Sequence, residues 1–274
     1  MYVRAKCFWR SPSKTDLQQV YYNEVIYIEI AAGSLYKDKY IDKYKTQYMP
    51  RNKLKKFREI NTFPNVVYRP DSLAGTWSTA FFKNGAPLTL ELGCGTGIMT
   101  LELARRNPGR NYIGVDNKRA RVWWGAQYAL TEGITNTAFI TARIETIGDY
   151  FGPGEVGEIW ITFPDPYPKP SKSNKRLISP ELIGVYRHFI TPDCVFHFKT
   201  DDDALFDFTL RTIEGENATI HRISGDTHND PGIGDDVKIK TVYEERHLEE
   251  GKAIKYVCFN LRGDSGKQNN GGPG

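Results

Sequence analysis

The chain has 274 residues, enough for one large α/β domain with additions or for two small domains. With 39% hydrophobic and 26% charged residues it can bury a packed core, and it contains no run of about 18 apolar residues that could span a membrane. A net charge of +4 singles out no partner by itself, but basic residues cluster at Arg51–Arg58 and at Lys169, Lys172, Lys175 and Arg176. Such clusters suit a polyanion such as RNA, and equally suit solvated surface. The N-terminus, MYVRAKCFWRSPSK, lacks the apolar segment and cleavage pattern of a secretory signal. Cys7, Cys94, Cys194 and Cys258 lie far apart and form no CxxC pair, so free thiols in a reducing cytosol are expected and metal ligation is not.

Residues 1–48 read differently from the rest. They are rich in tyrosine, hold one candidate strand (VYYNEVIYIEI), and end before Met49-Pro50 and the basic cluster. Met49 can serve as an initiator, which would make residues 1–48 an upstream extension; the alternative is an added arm that contacts a partner. From 49 to 262 strand and helix signals alternate. Leu88–Leu92 reads as a strand, Ile98–Arg106 as a helix closed by Pro108-Gly109, and Asn111–Val115 as a strand. Lys118–Glu132 reads as a helix capped by Gly133, Ala138–Thr141 as a strand, and a short helix follows Arg143. Glu158–Phe163 is the next strand, Pro180–Phe189 a helix, Cys194–Lys199 a strand and Asp203–Ile213 a helix. ATIHRIS and IKYVCFNL form a terminal pair of strands. This alternation predicts an α/β fold with a mostly parallel central sheet, right-handed crossovers and helices on both faces. Residues 263–274 are low in complexity and are expected to be disordered.

The first of these strands runs into LELGCGTG, with Glu91 ahead of Gly93, Gly95 and Gly97. Glycines at a strand-to-helix junction let the backbone turn tightly and approach a ligand, and the helix that follows aims its first amides at it. The spacing is G-x-G-x-G rather than the dinucleotide G-x-G-x-x-G. Glu91 would repel a pyrophosphate but suits a cation, and Asp116, ending NYIGVD, can accept from both hydroxyls of a ribose. Together these features resemble the Rossmann-like class I S-adenosylmethionine-dependent methyltransferases.

The segment FPDPYPKPSKSNKRL, from Phe163 to Leu177, narrows the resemblance. Asp165 sits between Pro164 and Pro166 at the carboxyl end of a strand, on the rim where open α/β sheets bind ligands. The segment is similar to the Phe-Pro-Asp-Pro motif and basic Asn-Lys-Arg stretch of the bacterial tRNA (guanine-N7-)-methyltransferases. Thr200-Asp201 and Thr241-Val-Tyr243-Glu244-Glu-Arg246 match two later motifs of that family in the same order. The resemblance covers about Asn52 to Arg262. It implies that 49–262 is a methyltransferase domain using S-adenosyl-L-methionine to methylate N7 of a variable-loop guanosine, position 46, in tRNA. It further implies a cytoplasmic monomer or homodimer. By the same resemblance Glu91 meets the methionine amine, Asp116 the ribose, and Asp165 is both catalytic and a cofactor contact. Lys169, Asp201, Thr241, Tyr243 and Glu244 meet the substrate, and Gly93, Gly95 and Gly97 shape the cofactor loop. In one departure, Arg143 falls where the family carries Asp or Asn near the adenine, so that it supplies only backbone there or the register shifts by one.

Guanine N7 carries a free in-plane lone pair, so no general base is required and alignment is the main task. The product is cationic, and a carboxylate beside the ring favours it. Asp165, Asp201 and Glu244 are candidates, since guanine also offers N1–H and N2–H₂ donors. Each has a structural alternative. Asp165 could form an Asx turn, Asp201 could cap the helix near Asp203, and Glu244 and Arg246 could form a surface ion pair. Lys175 and Arg176 could meet phosphates or simply be solvated. Two rival functions keep part of the motif set: a methyltransferase for a small molecule or protein would not need the basic loop, and an idle RNA-binding scaffold would not need Glu91, Asp116 and Asp165 together. A dehydrogenase fits the glycine spacing and Glu91 poorly.

Overall fold

A computed structural model describes residues 53–261 of the chain, so the expectations for residues 1–48 and 263–274 lie outside the described residues. Helix α1 (Lys53–Glu59) and a short strand β1 (Val66–Val67) precede the alternating core. The core runs β2 (Leu88–Leu92), α2 (Ile98–Arg106), β3 (Asn111–Asp116), α3 (Arg119–Thr131) and β4 (Thr137–Thr141). It continues with β5 (Val156–Thr162), α4 (Pro180–Arg187), β6 (Ile190–Thr200) and α5 (Asp203–Gly215). Then come β7 (Thr219–Ser224), α6 (Val242–Glu249) and β8 (Lys255–Asn260). The eight strands form one sheet in the order β1-β4-β3-β2-β5-β6-β8-β7. All neighbours pair in parallel except β6–β8 and β8–β7, which are antiparallel.

Both faces of the sheet are covered, which is why the central strands read as nearly unbroken apolar runs. Leu88, Leu90 and Leu92 of β2 pack with Leu182, Ile183 and Tyr186 of α4 and Leu205, Phe206 and Ile213 of α5. The intervening side chains point the other way. There Tyr112 and Trp160 pack with Met99 and Leu103 of α2, and Phe139 packs with Val122 and Ala126 of α3. No helix among the described residues is long and apolar enough to cross a membrane.

Three elements refine or extend the sequence expectation. Strand β6 begins at Ile190, ahead of Cys194, because Ile190 pairs with Val156 across a bulge in β5. The short helix after Arg143 is a 3₁₀ segment, Ile144–Tyr150. Helix α6 was not expected at all. Thr241 and Glu244 close a full capping box at its start, the Thr side chain accepting from the Glu244 amide while the Glu244 carboxylate accepts from the Thr241 amide. T-x-x-E is the sequence signature of that box, but here it coincides with a motif read as substrate contact.

The turn that links β2 to α2 sets the geometry of the rim. Gly97 caps α2 in the left-handed region, at φ 76°, and a Cβ there would stand 2.6 Å from Cε1 of the buried Phe139. Gly95 is also left-handed, at φ 58°, but nothing lies within 4 Å of its Cβ position. Gly97→Ala should therefore destabilise the protein by more than the about 1–3 kcal/mol of backbone strain expected for Gly95→Ala. Urea unfolding of the two variants checks this, and equal losses would mean that the Phe139 ring yields freely.

Candidate active site

Four parallel strands, β3, β2, β5 and β6, end on one edge of the sheet and deliver Asp116, Glu91, Asp165 and Asp201 to it. The chain order reverses between β2 and β5, the switch point at which open α/β sheets bind ligands. Glu91 spans that point. Its Oε1 accepts from Thr162 Oγ1 of β5 at 3.1 Å, and its Oε2 accepts from the amide and hydroxyl of Thr100 in α2. Burial pushes the Glu91 carboxyl up to about 7, with the nearby Asp116 adding to the rise and the Thr100 and Thr162 bonds opposing it. Asp116 is also buried. Its two oxygens accept from Gly95 N at 3.0 Å and Lys118 N at 2.7 Å, which ties the glycine turn to the end of β3.

Asp165 stands exposed after β5. The residues on either side of its proline frame, Phe163 and Tyr167, both adopt positive φ, 49° and 41°. Such backbone is strained for bulky residues and doubly so before proline. The strain is held by specific contacts. Phe163 N donates to Lys199 O of β6 at 2.9 Å, and the Phe163 ring stacks on His247 with centroids 5.9 Å apart. Arg176 donates from Nε to Pro166 O at 2.9 Å and from Nη2 to Tyr167 O at 3.1 Å, with its guanidinium 4.2 Å over the Phe208 ring. Arg176 is thus a buried strut of the loop rather than a solvated or phosphate-facing charge, a correction to the sequence reading. Lys169 and Lys175 are exposed at the two ends of the 3₁₀ turn Pro170–Lys175.

The remaining candidates fall into two groups. Asp201 does not cap α5; Asp202 does, accepting from Leu205 N at 2.7 Å. Asp201 instead receives Lys252 Nζ at 3.1 Å and faces His247 Nδ1 at 3.3 Å. Glu244 is not a surface partner of Arg246, which pairs with Glu250. It is fully buried, and both its oxygens accept from Lys199 Nζ at 2.8 Å while Oε1 also meets His228 Nε2 at 2.9 Å. Its carboxylate therefore faces the interior. Thr241 is buried as the cap of α6 and Tyr243 is exposed on its first turn. The Arg143 side chain turns outward to Glu145, 3.3 Å away. The chain there adjoins Asp116 through its backbone, since Ala142 N donates to Asp116 O at 3.2 Å. Lys199 was not singled out in the sequence. A lysine inside a strand of apolar and aromatic residues was its only signal.

The residues present fit S-adenosylmethionine. A carboxylate offers about four lone-pair sites; Glu91 and Asp116 fill three and two of them within the protein, leaving acceptors for an ammonium and a ribose. The space where a Gly95 side chain would stand is empty, so a ligand can approach its backbone. A sheet of this order with acidic strand ends beside a glycine turn defines a class I methyltransferase fold. One solved structure, described as that of an antibiotic-related methyltransferase, shares the fold with TM-score 0.50 at 15% identity, over 64% of this chain and 88% of its own. The family model described as "Putative methyltransferase" matches residues 85–257. A protein of Christiangramia forsetii named tRNA (guanine-N(7)-)-methyltransferase is 41% identical over 77% of this chain and 99% of its own length. A protein of the same name from Bacteroides thetaiotaomicron is 40% identical over 78% and 87%. The chain belongs to the tRNA (guanine-N(7)-)-methyltransferase family and is an S-adenosylmethionine-dependent enzyme.

The Glu91 carboxyl has a testable consequence. Its pKa rises on folding, from an ordinary 4.5 to about 7, so the folded state holds a proton that the unfolded chain has released. The contribution to stability is complete below pH 4.5 and is lost as pH rises through 7. It corresponds to about 3 kcal/mol. The ligand-free protein should lose stability by that order across this window, and Glu91→Gln should flatten the slope. Urea midpoints measured from pH 5 to 8 decide it; an unchanged slope in the variant would remove Glu91 from the account.

Proposed function

We propose that this protein methylates N7 of a guanosine in tRNA, at position 46 in the variable loop, as a cytoplasmic monomer or homodimer. The observation that carries the reading is the Asp165 loop: an exposed carboxylate held rigidly beside the switch point, followed directly by exposed lysines. S-adenosylmethionine supplies a methyl group on a sulfonium, a good leaving group. Glu91 accepts from its ammonium and Asp116 from its ribose, with Gly93, Gly95 and Gly97 letting the backbone close on it and the Arg143 backbone beside Asp116. Asp165 orients the guanine and stabilises the positive charge that grows on the ring as N7 is alkylated; it removes no proton, because N7 bears none. Asp201 accepts from the Watson–Crick edge, Tyr243 offers an exposed ring to a base, and Lys169 and Lys175 hold phosphates, which positions the RNA without reading its sequence.

Labelled methyl transfer to tRNA transcripts, followed by chain cleavage at 7-methylguanosine, reports substrate, atom and position together. Transcripts with a variable-loop guanosine should be labelled there and those lacking it should stay unlabelled. Label independent of that guanosine would sink the position, and no label in any tRNA would sink the reading.

The role given to Asp165 predicts that Asp165→Asn lowers kcat by about a hundredfold, the loss typical of removing one preorganised charge-stabilising group. Folding should be retained, as judged by an unchanged melting curve. Unaltered turnover in single-turnover assays would remove Asp165 from the chemistry.

A further inference from the structure

The buried pair between Lys199 and Glu244 lies among the three segments that carry the substrate-facing residues. Lys199 is the penultimate residue of β6, two positions before Asp201, and its carbonyl accepts from Phe163 N at the start of the Asp165 loop. Its ammonium is fully buried and donates to both Glu244 oxygens. It also donates to Val237 O at 2.6 Å and Ile239 O at 3.2 Å. Those carbonyls belong to the connection between β7 and β8, whose Ile233, Val237 and Ile239 pack on Met99 and Leu103 of α2 and on Trp160. Glu244 in turn caps α6, which presents Tyr243 at its first turn and His247 one turn later. His247 touches both the Asp201 carboxylate and the Phe163 ring. A shift of α6 would therefore move Tyr243 and withdraw one contact each from Asp201 and Phe163.

We propose that Lys199 is a positioning residue for RNA binding: through Glu244 it fixes α6 against the strand ends that bear Asp165 and Asp201, and Glu244 itself does not touch the substrate. This rests on the tRNA reading above for its substrate. It differs from the sequence expectation, in which Glu244 was a direct acceptor for guanine. It explains why a carboxylate in that motif is sealed from solvent with both oxygens filled. Single replacements leave an unpaired buried charge, whereas replacing both partners with apolar residues removes it. The two kinds of variant therefore separate loss of fold from loss of position.

The test is a double-mutant cycle of Lys199→Met, Glu244→Met and the pair. KM for tRNA, kcat and the Kd of S-adenosylmethionine are measured well below each variant's melting temperature. Each single variant should raise KM for tRNA about tenfold and the pair should raise it no further, because both act through one device. Cofactor Kd should change by less than KM for tRNA, since neither residue hydrogen-bonds Glu91 and Lys199 acts on it only through its charge. Losses that multiply in the pair would mean that the two residues act independently, and would overturn the proposal. A lowered melting temperature with KM unchanged would make the pair structural only and overturn it equally. If the methionine variants do not fold, Lys199→Arg and Glu244→Gln complete the same cycle with the same two readouts. Wild-type protein that labels no guanosine defeats the tRNA reading itself, which keeps that failure apart from a failed cycle.

Discussion

The rim depends on one carboxyl group, Glu91, buried where the sheet changes direction. It joins β2 to β5 through Thr162 and to the first turn of α2 through Thr100. Elsewhere along this seam β2 and β5 pair through their backbones, share an apolar core and are bridged by Arg110, which reaches both Thr89 and Glu158. Placing an acid at this seam is costly, and burial raises its pKa towards neutrality even though the Lys199 ammonium lies within electrostatic reach. An acid held without a direct ion pair in such a place fits a ligand that brings positive charge of its own. The same group is thus a fold-closing element and the feature that separates this glycine turn from one built for a pyrophosphate.

A second constraint lies across the seam. The prolines around Asp165 restrict the chain, but they do not by themselves aim it. Phe163 and Tyr167 sit in backbone that neither would choose, and Arg176 and Lys199 O hold them there. Stored strain of this kind persists only where the surroundings over-determine it. Arg176, eleven residues after Asp165 in sequence, does this with two donors to successive carbonyls, a geometry that a planar guanidinium provides and an ammonium does not.

Much of this was legible in the sequence for a physical reason: strands buried on both faces leave apolar runs, and the acids that end them stand out. Glu91, Asp116 and Asp165 were found that way. What was not legible turns on burial of charge. Arg176 and Glu244 carry the same letters whether they face water or the interior, and periodicity does not assign a side to a residue in a loop or at a helix start. Glu244 was ambiguous in a further way, because a capping box and a substrate motif are spelled alike. Lys199 was hidden because a lysine in a strand reads as an exposed position, and its partner lies 45 residues away. Helix α6, eight residues long, has too few turns to show a period against the loop around it.

These buried charges are not spread evenly. Glu91 is bonded to α2, and Lys199 to the connection that packs on α2, so both lie on one face of the sheet. Leu88, Leu90 and Leu92 give the opposite face an apolar core against α4 and α5. An apolar face packs tightly, but its dispersion contacts have little direction. A buried hydrogen bond is directional, because its energy falls steeply with distance and angle once water is excluded. The buried hydrogen bonds therefore fix orientation where apolar packing alone would not. On the α2 face, Glu91 and Lys199 are two points at which buried hydrogen bonds fasten the packed segments to β2 and β6, while Arg176 fastens the Asp165 loop from the α5 side.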